Sequence, residues 1–157
     1  GGIAMNMRPF KPSETILRAV ELFRKQATES GLSIEAEPSD CAAYADETRT
    51  YQVMVNLVSN ALKFTPHGGK ITAGAREAGN FIEFFVSDTG QGIPEEYQHK
   101  LFTEFYQVPE IEPLRGSKGL GVGLALCKRF IEAQGGRIAI ESKAGAGTTV
   151  KFYLKKA

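Results

Sequence analysis

The 157-residue chain has only two cysteines, Cys41 and Cys127, far apart and neither in a CxxC. That spacing does not fit a metal site. Both read as small buried hydrophobes of a protein kept in a reducing compartment. Charge of one sign is also missing: 19 Lys and Arg against 18 Asp and Glu leave a net +1. There is no basic surplus to point to nucleic acid, although net charge says nothing about one local phosphate pocket. No apolar run is long enough to span a bilayer, and no signal peptide opens the chain. Histidine is limited to His67 and His99, which stand alone and read as surface or loop residues. No Ser-His-Asp pattern and no paired carboxylates stand out. A P-loop would need GxxxxGK[ST], which is absent, and a dinucleotide GxGxxG would need glycine at 124, which is Leu124.

What is present fits one globular domain with a real core: 42% apolar and 24% charged residues. The opening "GGIAMNM" reads as an expression scar. Residues 1–9 are therefore expected to be scar or linker, residues 10–157 the folded domain, and the natural protein longer.

Ser13 is placed to cap a helix over 14–30, where Ile16, Val20, Phe23 and Ala27 share one face and Gly31 ends the run. Residues 32–37 alternate as a strand, and 41–45 read as a weaker one. A helix over 47–64 stops at Pro66 and Gly68-Gly69. Residues 70–76 and 81–88 read as strands joined at Gly79-Asn80. The stretch 93–118, with Pro94, Pro109 and Pro113, reads as a long loop holding a short helix, and such loops are usually functional. A helix over 122–134 and strands over 137–142 and 148–154 complete the chain. The order predicts an α+β fold, a two-layer sandwich. Its mixed, largely antiparallel sheet has about five strands, with about three helices on one face.

Four constellations draw attention. On the second helix Gln52, Asn56, Ser59, Asn60 and Lys63 fall within an arc of about 100°, opposite Met54, Leu57, Val58, Ala61 and Leu62. A solvated polar face is one reading. The residue types allow another, because asparagine is a poor helix former. Amide oxygens one turn apart suit a hard cation such as Mg²⁺, and Lys63 suits phosphate. In "VSDTGQGI", residues 86–93, a strand ends in Asp88 and then Gly90 and Gly92 follow. Two glycines so close allow a sharp bend and a close backbone approach. In "GSKGLGVGL", residues 116–124, Gly119, Gly121 and Gly123 alternate before a helix. Backbone N–H groups there form an anion site, or the stretch is a glycine-rich hinge. "AGAGTTVKF", residues 144–152, is a third glycine cluster, or only a turn between strands.

In order, "QVMVNLVSNALKFTPHGG", "VSDTGQGI", "LFTEFYQ", "GLGVGLAL" and "AGAGTTVKF" resemble the N box, first glycine box, F box, second glycine box and third glycine-rich turn of sensor histidine kinases. The resemblance covers roughly residues 10–156 and implies a Bergerat-type ATP-binding fold, the catalytic and ATP-binding domain of that family. It implies that Asp88 accepts a hydrogen bond from the adenine amino group, with Gly90, Gly92 and Ile93 along the base and Thr149 supplying a hydroxyl near the same edge. Asn60 corresponds to the Mg²⁺ ligand, and Asn56 and Lys63 to polar groups facing the phosphates. These three are the expected catalytic residues. Gly119, Leu120, Gly121, Val122, Gly123 and Leu124 correspond to the phosphate cradle. Phe102 and Phe105 correspond to the F box, and Arg115 and Lys118 lie in a lid over roughly 89–121.

The implied function is binding of Mg²⁺ and ATP and γ-phosphoryl transfer to a histidine. That histidine would sit on a separate dimerisation and phosphoacceptor domain of the same protein, in a homodimer, with a response regulator downstream. No nucleic acid and no direct membrane contact is implied. The domain would be cytoplasmic even if the full-length protein is membrane-anchored. His67 is followed by Gly68 and His99 by Lys100. Neither matches the family's acceptor, whose histidine precedes an acidic residue. Two other outcomes stay open, an ATP-hydrolysing relative of the gyrase and MutL type and a nucleotide-binding pseudokinase. The first usually carries a glutamate base where this chain has Asn56, and an amide cannot take a proton.

Overall fold

The computed structural model describes residues 4–103, 113–114 and 123–157. Strand β1 (Arg8–Phe10) leads into helix α1 (Pro12–Glu29). Strands β2 (Ser33–Ala36) and β3 (Ala43–Ala45) precede helix α2 (Glu47–Phe64). The hairpin β4 (Lys70–Ala78) and β5 (Phe81–Asp88) follows, then the short helix α3 (Glu95–Gln98). Helix α4 (Gly123–Ala133) and strands β6 (Arg137–Ser142) and β7 (Thr148–Lys156) end the chain.

The strands form one sheet in the order β1-β3-β7-β5-β4-β2, with β6 also paired to β7. Every pairing is antiparallel except β2 with β4. This is the expected α+β sandwich with a largely antiparallel sheet, but the described residues hold seven strands and four helices. The strand not anticipated is β1. It is three residues long and contains Pro9, which only an edge strand tolerates. Arg8 and Pro9, expected in the scar or linker, pair with Ala45 and Tyr44.

Helices α1, α2 and α4 cover one face of the sheet. Ile82, Phe84 and Val86 alternate on β5 and lie opposite Leu154, Phe152 and Val150 of β7. They join the helix residues Ile16, Val20, Val53, Met54, Leu57, Val58 and Ile131 in a single core. Phe84 and Phe152 stack at its centre, 4.7 Å between ring centroids. Each such ring, fully buried, stabilises the fold by about 2–3 kcal/mol. The opposite face is mixed. There Phe85 is buried under the Arg76 guanidinium, 4.3 Å from its ring. Arg137 lies over Tyr153, whose hydroxyl donates to Glu83 at 2.8 Å.

Helix starts follow local chemistry. Pro12 occupies the first turn of α1, and Lys11 makes no side-chain cap, so Ser13 lies inside the helix and is not its cap. Asp46 does cap α2: its Oδ1 accepts from Arg49 N at 3.0 Å, and its Oδ2 accepts from Asn6 N at 2.9 Å. Gln134 at the end of α4 accepts from Asp46 N at 2.8 Å and donates to Phe130 O. The start of α2, the end of α4 and the entering chain thus meet at one buried residue, Asp46, the first and last through its carboxylate and the end of α4 through its backbone N–H.

Both cysteines are free and buried. Burial pushes the Cys127 thiol up to about 12, which keeps it protonated and inert. Among the described residues, no helix is long and apolar enough to cross a membrane.

Candidate functional site

Helix α2 supplies one wall. Val53, Met54, Leu57, Val58, Ala61 and Leu62 are buried against the sheet and α1. Asn56, Ser59, Asn60 and Lys63 on the other side are half-buried, whereas Gln52 is exposed. A simple solvated face would leave them all exposed. The cover at Asn56 is the first residue of α4: a Cβ on Gly123 would stand 2.6 Å from Asn56 Nδ2 and 2.9 Å from its Oδ1. Only glycine lets the end of the second glycine cluster approach this closely. Leu124, next along, packs against the core.

The C-terminal end of β5 supplies the second wall. Asp88 is the last residue of β5, half-buried, and its Oδ1 accepts from Gly90 N at 2.8 Å. Burial raises its pKa, against the smaller lowering effect of backbone hydrogen bonds from Gly90 and Thr148. Gly90 is buried against the last turn of α2, where a Cβ would stand 2.8 Å from Phe64 O. Gly92 has φ of +73° and lies against the carbonyl of Lys143. A side chain would be strained there by its backbone and blocked by that carbonyl.

The third glycine cluster proves to be more than a turn. Gly145 N donates to Gln91 O at 2.6 Å, and Ile93 N donates to Ser142 Oγ at 2.8 Å. Gln98 Nε2 donates to both Ile93 O and Ser142 O, at 2.8 and 2.9 Å. The β6–β7 turn therefore buttresses the loop that follows Asp88.

The structure thus brings Asn56, Gly123 and Leu124 together at the α2–α4 contact. Asp88, Gly90, Gly92 and Ile93 gather at the end of β5. Asn60 and Lys63 continue the polar side of α2, and the Lys63 carbonyl accepts from Leu114 N at 2.6 Å. Phe102 is half-buried beside the buried Leu101. Phe105, Arg115, Lys118, Gly119, Leu120, Gly121 and Val122 lie outside the described residues.

The structure does not bring Thr149 to Asp88. Its hydroxyl is 2.8 Å from Ser87 Oγ, on the sheet face turned away from the helices. The residue across from Asp88 is Thr148. Strand alternation is the reason, since Val150, Phe152 and Leu154 point into the core and place 148 on their side. Sequence reasoning also passed over Ser142 and Gln98, because isolated polar residues carry no motif signal.

A hard, oxygen-coordinated metal ion carried by a phosphate chain fits what is present. The α2 face offers neutral amide oxygens, a hard donor set. Among the described residues, no three His, Cys, Asp or Glu side chains are grouped to hold a metal. Oxygens beyond the Asn60 amide would then come from phosphate and water.

The family model for histidine kinase-, DNA gyrase B-, and HSP90-like ATPase matches residues 45–157. The histidine protein kinase DivJ of Caulobacter vibrioides is 37% identical over 147 residues, 92% of this chain and 24% of DivJ. The catalytic domain of histidine kinase ThkA superposes with a TM-score of 0.82 at 29% identity, covering 97% of both chains. ThkA has also been solved in complex with the response regulator protein TrrA, and that ThkA chain superposes with a TM-score of 0.80. Full-length ShkA in complex with AMPPNP superposes with a TM-score of 0.88 at 27% identity, over all of this chain and 32% of ShkA. The chain spans 19% to 37% of the length of the curated relatives it matches.

Proposed function

The chain belongs to the histidine kinase-, DNA gyrase B-, and HSP90-like ATPase family, and from that premise we propose that it binds ATP with Mg²⁺ and passes the γ-phosphoryl group to a histidine on a separate dimerisation and phosphoacceptor domain. The observation that carries this reading is Asp88, a half-buried carboxylate at a strand end beside the backbone of Gly90 and Gly92. A carboxylate is a pure acceptor. It suits the exocyclic amino group of adenine, and a base lacking that donor would leave it unpaired. The solved ShkA complex with AMPPNP supports nucleotide binding. The ThkA complex with TrrA supports a response regulator as the downstream partner.

The polar side of α2 then faces the phosphates. Asn60 would hold Mg²⁺ through its amide oxygen, with Asn56 and Lys63 beside the phosphate oxygens. The ion would supply neutralisation of the charge on the transferring group. Asn56 cannot accept a proton from water, so no general base stands at this position to turn the reaction towards hydrolysis. Catalysis is positioning and charge neutralisation, as is general for phosphoryl transfer. His67 and His99 are exposed on the α2–β4 turn and at the end of α3. Neither is followed by an acidic residue, which leaves the acceptor to another domain.

Labelled ATP tests the proposal. The chain alone should neither label itself appreciably nor release phosphate quickly. Supplied with its own dimerisation domain, it should label a histidine there, with a bond that is labile in acid and stable in alkali. Asn60→Ala should abolish the labelling. Rapid release of free phosphate by the unmodified chain would replace transfer with hydrolysis. ATP binding without labelling of the acceptor domain would make the chain a pseudokinase.

A further inference from the structure

The geometry points to Ser142 as a positioning residue for the adenine end of this site, an inference that rests on the ATP reading above. Ser142 is the last residue of β6, and its hydroxyl sits where three segments meet. Its oxygen accepts from Ile93 N at 2.8 Å, donates to Gly147 O at 3.0 Å and lies 2.8 Å from Thr148 Oγ1. A hydroxyl has one proton and two lone pairs. With the proton on Gly147 O, Thr148 must be the donor to Ser142. The three contacts therefore exhaust the group, and none of its capacity is left for solvent.

Each partner leads to the site. Ile93 closes the loop that carries Gly90 and Gly92. Thr148 lies across from Asp88, and its backbone N–H supports the Asp88 carboxylate together with that of Gly90. Gln98 adds a second brace, because its amide nitrogen spans Ile93 O and Ser142 O. Both backbone polar groups of Ile93 are thus held by side chains, one from β6 and one from α3. Ser142 touches no reacting atom. It fixes the spacing between the carboxylate that receives the adenine amino group and the backbone that flanks the base. A site held in advance binds without an ordering cost at the moment of binding.

The test uses this chain, calorimetry and two nucleotides: ATP with Mg²⁺, and purine riboside triphosphate with Mg²⁺, which lacks the 6-amino donor. The unmodified chain should prefer ATP. Ser142→Ala should lower ATP affinity about tenfold, the worth of one polar contact left unmade, and bring the ratio between the two nucleotides towards one. Ser142→Thr, which keeps the hydroxyl, should restore the preference. Gln98→Glu leaves Ser142 in place but turns a donor into an acceptor facing two carbonyls, and it should also narrow the ratio. A melting curve for each variant separates folding from positioning. If Ser142→Ala and Gln98→Glu bind both nucleotides in the original ratio, Ser142 is only structural and the inference falls. If the unmodified chain does not distinguish the two nucleotides, the adenine reading of Asp88 fails first, a result visible without any variant.

Discussion

Replacing Gly123 with alanine would separate what holds the fold from what shapes the site. Gly123 is the first residue of α4. Alanine is the better helix former in a helix interior by about 1 kcal/mol and by less at this first position. Its methyl group, however, would stand 2.6 Å from Asn56 Nδ2, 2.9 Å from Oδ1 and 3.1 Å from Cγ. Unstrained contacts lie at about 3.5–4.0 Å. The three nearest atoms all belong to the end of one flexible side chain, so Asn56 should turn away while the helices stay. An off-rotamer side chain costs about 0.5–1.5 kcal/mol. The two effects nearly offset, and the melting temperature should move by no more than about 2–4 °C. Nucleotide binding has no such offset. A displaced Asn56 no longer addresses the phosphates, and a hydrogen bond to a charged group contributes about 1.5–3 kcal/mol. Affinity for Mg²⁺ and ATP should therefore fall roughly ten- to a hundredfold. Melting curves and calorimetry on the same preparations would read both effects. Asn56→Ala supplies the control: with no amide to displace, adding Gly123→Ala should change affinity little further. Unchanged affinity in the single variant, or a full additive loss in the double variant, would refute the argument.

Asp88→Asn should weaken ATP binding by about 1–3 kcal/mol in calorimetry, because the replacement can present a donor to the adenine amino group. Burial holds the Asp88 pKa above its ordinary value, so in the empty domain the protonated form favours folding. That contribution is present below the unfolded pKa and is lost as pH rises through the folded one. Adenine prefers the ionised form, so ATP affinity should drop as pH falls through the raised pKa, and Asp88→Asn should remove that part of the pH profile. Gly92→Ala forces a side chain to φ near +73° against the Lys143 carbonyl. It should destabilise the domain by about 2–3 kcal/mol in a urea titration. Asp46→Ala removes the α2 cap and the partner of Asn6 N. About 2–3 kcal/mol should be lost, seen as a melting temperature lower by about 5–10 °C.

Elements with strong local signals were legible in the sequence. The period of Met54, Leu57, Val58, Ala61 and Leu62, with Pro66 and Gly68-Gly69 after, marks the extent of α2. Gly79-Asn80 between alternating runs marks the hairpin, where Ala78 pairs directly with Phe81. Elements stabilised only by distant partners were not legible. Strand β1 has three residues and a proline, and it is a strand because β3 offers an edge. At the start of α1 Pro12, with its preset φ, is a stronger local cue than the capping side chain of Ser13.

The candidate site shows the same division more sharply. Asn56 and Gly123 are 67 positions apart in sequence and Gly92 and Lys143 are 51 apart, as their numbers give directly, yet each pair is in contact. Propensity and local pattern cannot supply such contacts, and only the known order of the motifs hinted that these segments meet. Thr148 is a different kind of omission, because its signal was present. Val150, Phe152 and Leu154 alternate as a core-facing set, and the period of two carries that face to 148 and the opposite face to 149. Adjacent hydroxyls in a strand look interchangeable as a motif. They are opposite in direction, and only Thr148 lies across from Asp88 and beside Ser142.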